Sequence, residues 1–230
     1  MLFAFRNTRI PHTRHNANGI DPMREGSGAM SRDRKKKSGN ENGIVICVSG
    51  LAGTGKSTVA KKIAKRYGLR YYSGGDALKE LAKEDSYDPT GRGWWESPAG
   101  LSFLGLREKD PKFDRLVDEK LLSYKKQGNV LLDSWTMPWL AENGFKIWLL
   151  ASLEKRAERV AKRDGITVQQ ALQMLKEKEE KTRAIYKKLY GFSLGEDFKP
   201  FDIVLDTDNL SSEEVFRVLC RVIDNILVNR

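Results

Sequence analysis

The chain of 230 residues carries 41 Lys and Arg against 31 Asp and Glu, a net charge of +10, with 40% hydrophobic and 31% charged residues. That length suits one substantial core, and no window approaches the roughly 18 continuous apolar residues of a membrane-spanning helix. The two cysteines, Cys47 inside an apolar strand pattern and Cys220 on the apolar side of a helix, are poorly placed for a disulfide framework and fit a reducing cytoplasm.

The charge is uneven along the chain. Residues 1–42 hold nine Lys and Arg against four Asp and Glu, so half the excess lies there. This stretch lacks helical or strand periodicity and culminates in SRDRKKKSGNENG, a composition that solvates rather than folds. We expect a disordered basic extension. It is a floppy segment, with Met23 or Met30 as alternative starts, an Arg-rich organellar address, or an arm touching RNA. Apart from that arm no nucleic acid is expected as partner, and a monomer is expected.

Residues 43–230 read as one folded unit. IVICVSG (44–50) is a continuous β-branched run of the kind buried on both faces in a parallel sheet. GLAGTGKS (50–57) follows at once, and TVAKKIAKRYG then sets Val59, Ala60, Ile63 and Ala64 on one helical stripe that Gly68 ends. A strand is expected at 69–73, a helix at 76–84, helices at 98–109 and 111–126, and a strand at 129–133. A further strand at 145–150 precedes helices at 153–163 and 167–190, a strand at 202–206, and a closing helix from Ser211. Thr167 with Gln170, and Ser211 with Glu214, spell capping boxes. The alternation predicts an α/β fold in three layers, built on a five-stranded parallel sheet with right-handed crossovers.

The glycine loop carries the most specific signal. Gly50, Gly53 and Gly55 permit the backbone angles that turn successive N–H groups inward, and the following helix adds positive charge at its N-terminus. Gly50, Leu51, Ala52, Gly53, Thr54, Gly55, Lys56, Ser57 and Thr58 are thus candidates for a nucleotide's phosphates. Lys56 would reach the β and γ phosphates, and the Ser57 hydroxyl would ligate magnesium. ATP and Mg2+ are the implied cofactors.

In a parallel sheet ligands gather outside the carboxyl ends of the strands. Asp133 and Ser73 end strands on the rim that carries the loop. Asp133 holds magnesium, acts as a base toward the incoming nucleophile, or caps the turn that follows. With a phosphate loop in the same sheet, the metal role is favoured.

Taken together, GLAGTGKSTVAKKIA, YYSGGDALKELA, the strand LLD ending at Asp133, KRAERVAKRDGIT, EKTRAIYKKLYG and FDIVLDT resemble the archaeal-type cytidylate kinases, within the P-loop nucleoside monophosphate kinases. The resemblance runs from about residue 44 to 226. It implies phosphoryl transfer from ATP to CMP or dCMP with magnesium, an acceptor-binding region at about 74–127, and a helical lid at about 154–190. Arg156, Arg159 and Arg163 fall at i, i+3 and i+7 along one side of a helix, suited to phosphate oxygens. In the family such a region closes over ATP, and Arg183 lies in a second arginine-bearing segment near the transferred group.

SGGDALKEL matches the start of the acceptor helix, which makes Ser73, Asp76 and Lys79 candidate contacts to CMP. TGRGWWESPAGLSFLGLREKD adds Arg92 and Arg107 as phosphate clamps and Trp94 and Trp95 as base platforms or core anchors. Arg107 beside Glu108 is alternatively a surface ion pair. Relatives commonly follow the strand-ending acid with glycine and an arginine that touches the acceptor phosphate. This chain has Ser134 and Trp135 there, so Arg92 or Arg107 supplies that charge or the acceptor differs. Two further readings stay open: a P-loop kinase for another monophosphate, nucleoside or metabolite, and a nucleotide-binding protein linked to RNA.

Overall fold

The computed structural model describes residues 43–90 and 93–228. The expected disorder of residues 1–42 and the candidate Arg92 lie outside them. Five strands, β1 (Val45–Ser49), β2 (Arg70–Ser73), β3 (Val130–Asp133), β4 (Phe145–Leu150) and β5 (Ile203–Asp206), form one parallel sheet in the order β2-β3-β1-β4-β5. Successive side chains of a strand point to opposite faces, and both faces here are covered. Ile46 and Val48 pack with Val59 and Ile63 of α1 (Lys56–Arg66) and with Leu219 and Ile223 of α8 (Ser212–Val228). Val45 and Cys47 pack on the other face with Leu78 of α2 (Gly74–Glu84), Phe103 of α3 (Pro98–Lys109), and Val117 and Leu121 of α4 (Lys112–Lys125).

The register sets the active rim. Val48 pairs with Asp133, and Asp133 with Ser73, so three strands end within one residue of one another. Beyond β4, α6 (Leu153–Asp164) and α7 (Val168–Tyr190) pack together through Ala157, Val160, Ala171 and Leu175. The capping boxes at Thr167 and Ser211 both form.

The expected elements occur within two residues of their predicted bounds. Two short ones were not foreseen: a 3-10 turn at Trp94–Glu96 and α5 at Met137–Leu140. The latter is one turn with Pro138 in second place, where its fixed φ suits the first turn of a helix and its missing N–H has no intrahelical partner to lose.

Candidate active site

The phosphate loop follows directly from β1. Gly53 and Gly55 adopt φ of 84° and 86°, a region that a side chain disfavours. At Gly53 space enforces the choice as well, since a Cβ would come within 2.8 Å of the Arg156 carbonyl oxygen. Thr54 Oγ1 donates to the Leu51 carbonyl (2.9 Å) and Leu51 is buried in the core, which fixes the loop from beneath. Gly55 leaves the start of α1 without a side-chain cap, and its first turn has no acid. Those N–H groups and the helix dipole favour an anion.

Ala52, Gly53, Lys56 and Ser57 open into a cavity of about 270 Å³, which also takes in Ser73, Asp76, Lys79, Arg107, Asp133 and Arg163. That is just below the roughly 300–1,000 Å³ typical of small-molecule sites. Of the candidate loop residues, Gly50, Leu51, Thr54, Gly55 and Thr58 shape or flank it without lining it. Ser73 has a structural duty as well, accepting from the Asp76 N–H (3.1 Å) as the cap of α2.

Asp133 is only 3% exposed, and its Oδ2 accepts from the Tyr71 hydroxyl at 2.8 Å. Burial first, and then the Asp133 charge, raise the Tyr71 pKa, so that hydroxyl remains a donor. The capping alternative for Asp133 falls to its neighbour: Ser134 Oγ accepts from the Thr136 and Met137 N–H groups.

The tryptophan pair divides. Trp94 is a core anchor 5.9 Å from the Phe103 ring, whereas Trp95 lines the cavity, as does Trp135. Trp135 donates from Nε1 to the Gly50 carbonyl (2.6 Å), and its ring carries two ammonium groups, Lys56 at 5.6 Å and Lys178 at 6.0 Å.

The expected row of lid arginines does not converge. Arg156 is 4% exposed and turns inward, donating to Glu179 of α7 from both terminal nitrogens and to the carbonyls of Ala52 and Ala151 from Nη1 and Nε. Arg159 donates to the hydroxyl and carbonyl of Thr207 beyond β5. Arg163 reaches the cavity and pairs with Asp164. Arg183 does not line the cavity and pairs with Glu196 (3.0 Å). Spacing put the three residues of α6 on one side, but their long side chains end on α7, just beyond β5 and at the cavity.

Arg107 forms a deep wall of the cavity rather than a surface pair with Glu108. It is 3% exposed and held at both ends by Asp114 (3.1 and 2.6 Å). Burial opposes its charge, and Asp114 with Tyr186 more than offsets this, so the guanidinium stays ionised.

Two residues that sequence reasoning passed over complete the wall. Lys178, 8% exposed on α7, stands 5.4 Å from the Trp95 ring. Asp118 of α4, 5% exposed, accepts from the hydroxyls of Thr136 and Tyr190. Burial pushes the Asp118 carboxyl up to about 6, against those two hydrogen bonds, which pull it down. Between about pH 4 and 6 the folded chain therefore holds a proton that the unfolded chain has released. Its contribution to stability is full below that window and is lost as pH rises through it. Urea midpoints compared at pH 4.5 and 7 should give a smaller drop in Asp118→Asn than in the parent chain. Equal drops would sink the assignment of that slope to Asp118.

A family model described as an AAA domain matches residues 46–187. Cytidylate kinase from Pyrococcus horikoshii is 37% identical over 80% of this chain and 90% of its own length. Cytidylate kinase from Methanocaldococcus jannaschii is 35% identical over 80% of this chain and 99% of its own. Among solved structures, an uncharacterized protein from Eubacterium ventriosum superposes with a TM-score of 0.52 at 23% identity, covering 79% of this chain and 98% of its own. That likeness speaks to the fold alone.

Proposed function

Because the chain belongs to the cytidylate kinase family, we propose that it transfers the γ-phosphoryl group of ATP to CMP or dCMP, giving ADP with CDP or dCDP. The observation that carries this reading is the likeness to curated cytidylate kinases along nearly their whole length. The phosphate loop supports it by opening into one cavity with Asp133 and the start of α2.

The first turn of α1 and Lys56 take the triphosphate, with Lys56 as a point charge at the β and γ oxygens. Magnesium fits the donors present. The Ser57 hydroxyl and the Asp133 carboxylate are hard oxygens lining one cavity, and Tyr71 engages only Oδ2 of Asp133. When bound there, magnesium would neutralise phosphate charge.

The acceptor enters between α2 and α4, where Ser73, Asp76 and Lys79 lie at the mouth and Arg107, Asp114 and Asp118 at the floor. Cytosine presents an amine donor where uracil presents a carbonyl oxygen. A carboxylate such as Asp118 accepts from the first and repels the second. The acceptor phosphate oxygen is already anionic, so its attack requires no base. The segment of α6 and α7 serves as the lid that excludes water, with Arg163 as one of its cations at the cavity. Among the described residues no helix is long and apolar enough to cross a membrane. Both cysteines are free and buried, in keeping with a reducing cytoplasm as the setting.

A coupled ADP assay over CMP, dCMP, UMP, AMP and nucleosides tests the reading. We expect the highest kcat/KM with CMP or dCMP and at least tenfold less with UMP, as a base edge of the wrong hydrogen-bonding sense leaves buried polar groups unpaired. Strong turnover of AMP or a nucleoside with none of CMP would falsify it.

A further inference from the structure

A lysine is rarely buried, yet Lys178 is 8% exposed in the wall of the cavity, midway along α7. Its ammonium lies over two indoles, 5.4 Å from the Trp95 ring centre and 6.0 Å from that of Trp135. The Trp135 ring also carries the ammonium of Lys56, the phosphate-loop lysine. Trp135 is fixed in turn, since its Nε1 bonds the Gly50 carbonyl of the loop and its ring meets Tyr186 edge-on. One rigid indole thus ties a cation of the lid to the cation of the phosphate loop. Of the lid arginines, Arg156 meets Glu179, Arg159 meets Thr207 and Arg183 meets Glu196, while Arg163 lines the same cavity.

We infer that Lys178 is a catalytic residue for the phosphoryl transfer proposed above, its ammonium binding the group in flight opposite Lys56, with Trp135 as the platform for both. The inference rests on that reading. In the step, the bond from the γ-phosphorus to the β,γ-bridging oxygen breaks, and its electrons stay with ADP. A bond forms from an acceptor phosphate oxygen to the same phosphorus. Lys178 keeps its protons throughout and acts by charge on the equatorial oxygens, where the transition state gathers negative charge. This also gives a physical role to Trp135 at the place where an arginine was expected after β3. The indole has no charge of its own, and it holds a lysine from 43 positions further along the chain.

The test compares Lys178→Met and Lys178→Arg with the parent chain in the CMP assay, and measures binding of ADP and of the ATP analogue AMP-PNP without acceptor. We expect Lys178→Met to lower kcat on the order of 10²–10³-fold with KM for CMP nearly unchanged. It should weaken AMP-PNP about tenfold and leave ADP alone, as a contact confined to the γ position requires. Lys178→Arg, which keeps the charge, should retain most of kcat. Should the Met variant not fold, Lys178→Gln takes its place. A kcat within threefold of the parent overturns the inference, and so do equal losses for ADP and AMP-PNP, the mark of a merely structural lysine. If the parent chain ignores CMP but Lys178→Met still loses AMP-PNP selectively, the acceptor reading fails and the Lys178 contact stands.

Discussion

Replacing Lys56 with alanine is expected to lower CMP-dependent ADP formation by roughly three orders of magnitude, the upper range for loss of a single group that stabilises transition-state charge. Lys56 begins α1 in a first turn with no capping side chain, and it lines the cavity with its ammonium over Trp135. Its charge there is opposed by nothing in the first turn, so it adds to the helix dipole in drawing phosphate into the loop. The core below does not depend on it, because Val59, Ala60, Ile63 and Ala64 supply the buried stripe of this helix. Stability should therefore change by no more than about 0.5 kcal/mol, as for substitutions away from core packing. Lys56→Arg should rescue poorly, since a planar fork does not replace a compact ammonium inside a tight loop. An alanine variant within tenfold of the parent rate, with an unchanged urea midpoint, would remove the phosphate loop from the mechanism.

The sheet was legible because its central strands are largely buried on both faces, and such strands read as near-continuous apolar runs: VICV, VLL and IWLL. The loop was legible because its spelling answers to backbone geometry, with glycine at the positive φ values of Gly53 and Gly55. The turns at Met137–Leu140 and Trp94–Glu96 were not, since four and three residues are too few for a helical period to show.

Side-chain destinations were harder to read than elements. Arg156 and Arg159 share a helical side, yet their partners Glu179 and Thr207 lie 23 and 48 positions away, and a flexible side chain can follow either neighbour. Asp118 and Lys178 escaped notice because a charged residue on an amphipathic helix ordinarily faces water. Only the packing of α4 and α7 around one cavity turns those two inward.

The buried pair of Arg156 and Glu179 leads to the largest expected loss of stability. Their side chains are 5% and 10% exposed, and the guanidinium also donates to the carbonyls of Ala52 in the phosphate loop and Ala151 at the end of β4. Two helices and the loop thus meet on one charge. Arg156→Met should destabilise the chain by about 3–5 kcal/mol, the usual cost of leaving a buried partner charge uncompensated. Glu179→Gln should cost less, because the amide oxygen still accepts and Arg156 keeps its two carbonyls. The double variant Arg156→Met with Glu179→Leu should recover much of the loss, since neither buried charge remains to be solvated. Urea unfolding of the parent, Arg156→Met, Glu179→Leu and the double variant measures the cycle. Losses that simply add would mean that the two residues act independently, and that the lid is held to the phosphate loop by apolar packing through Ala52, Ala157 and Leu175 instead.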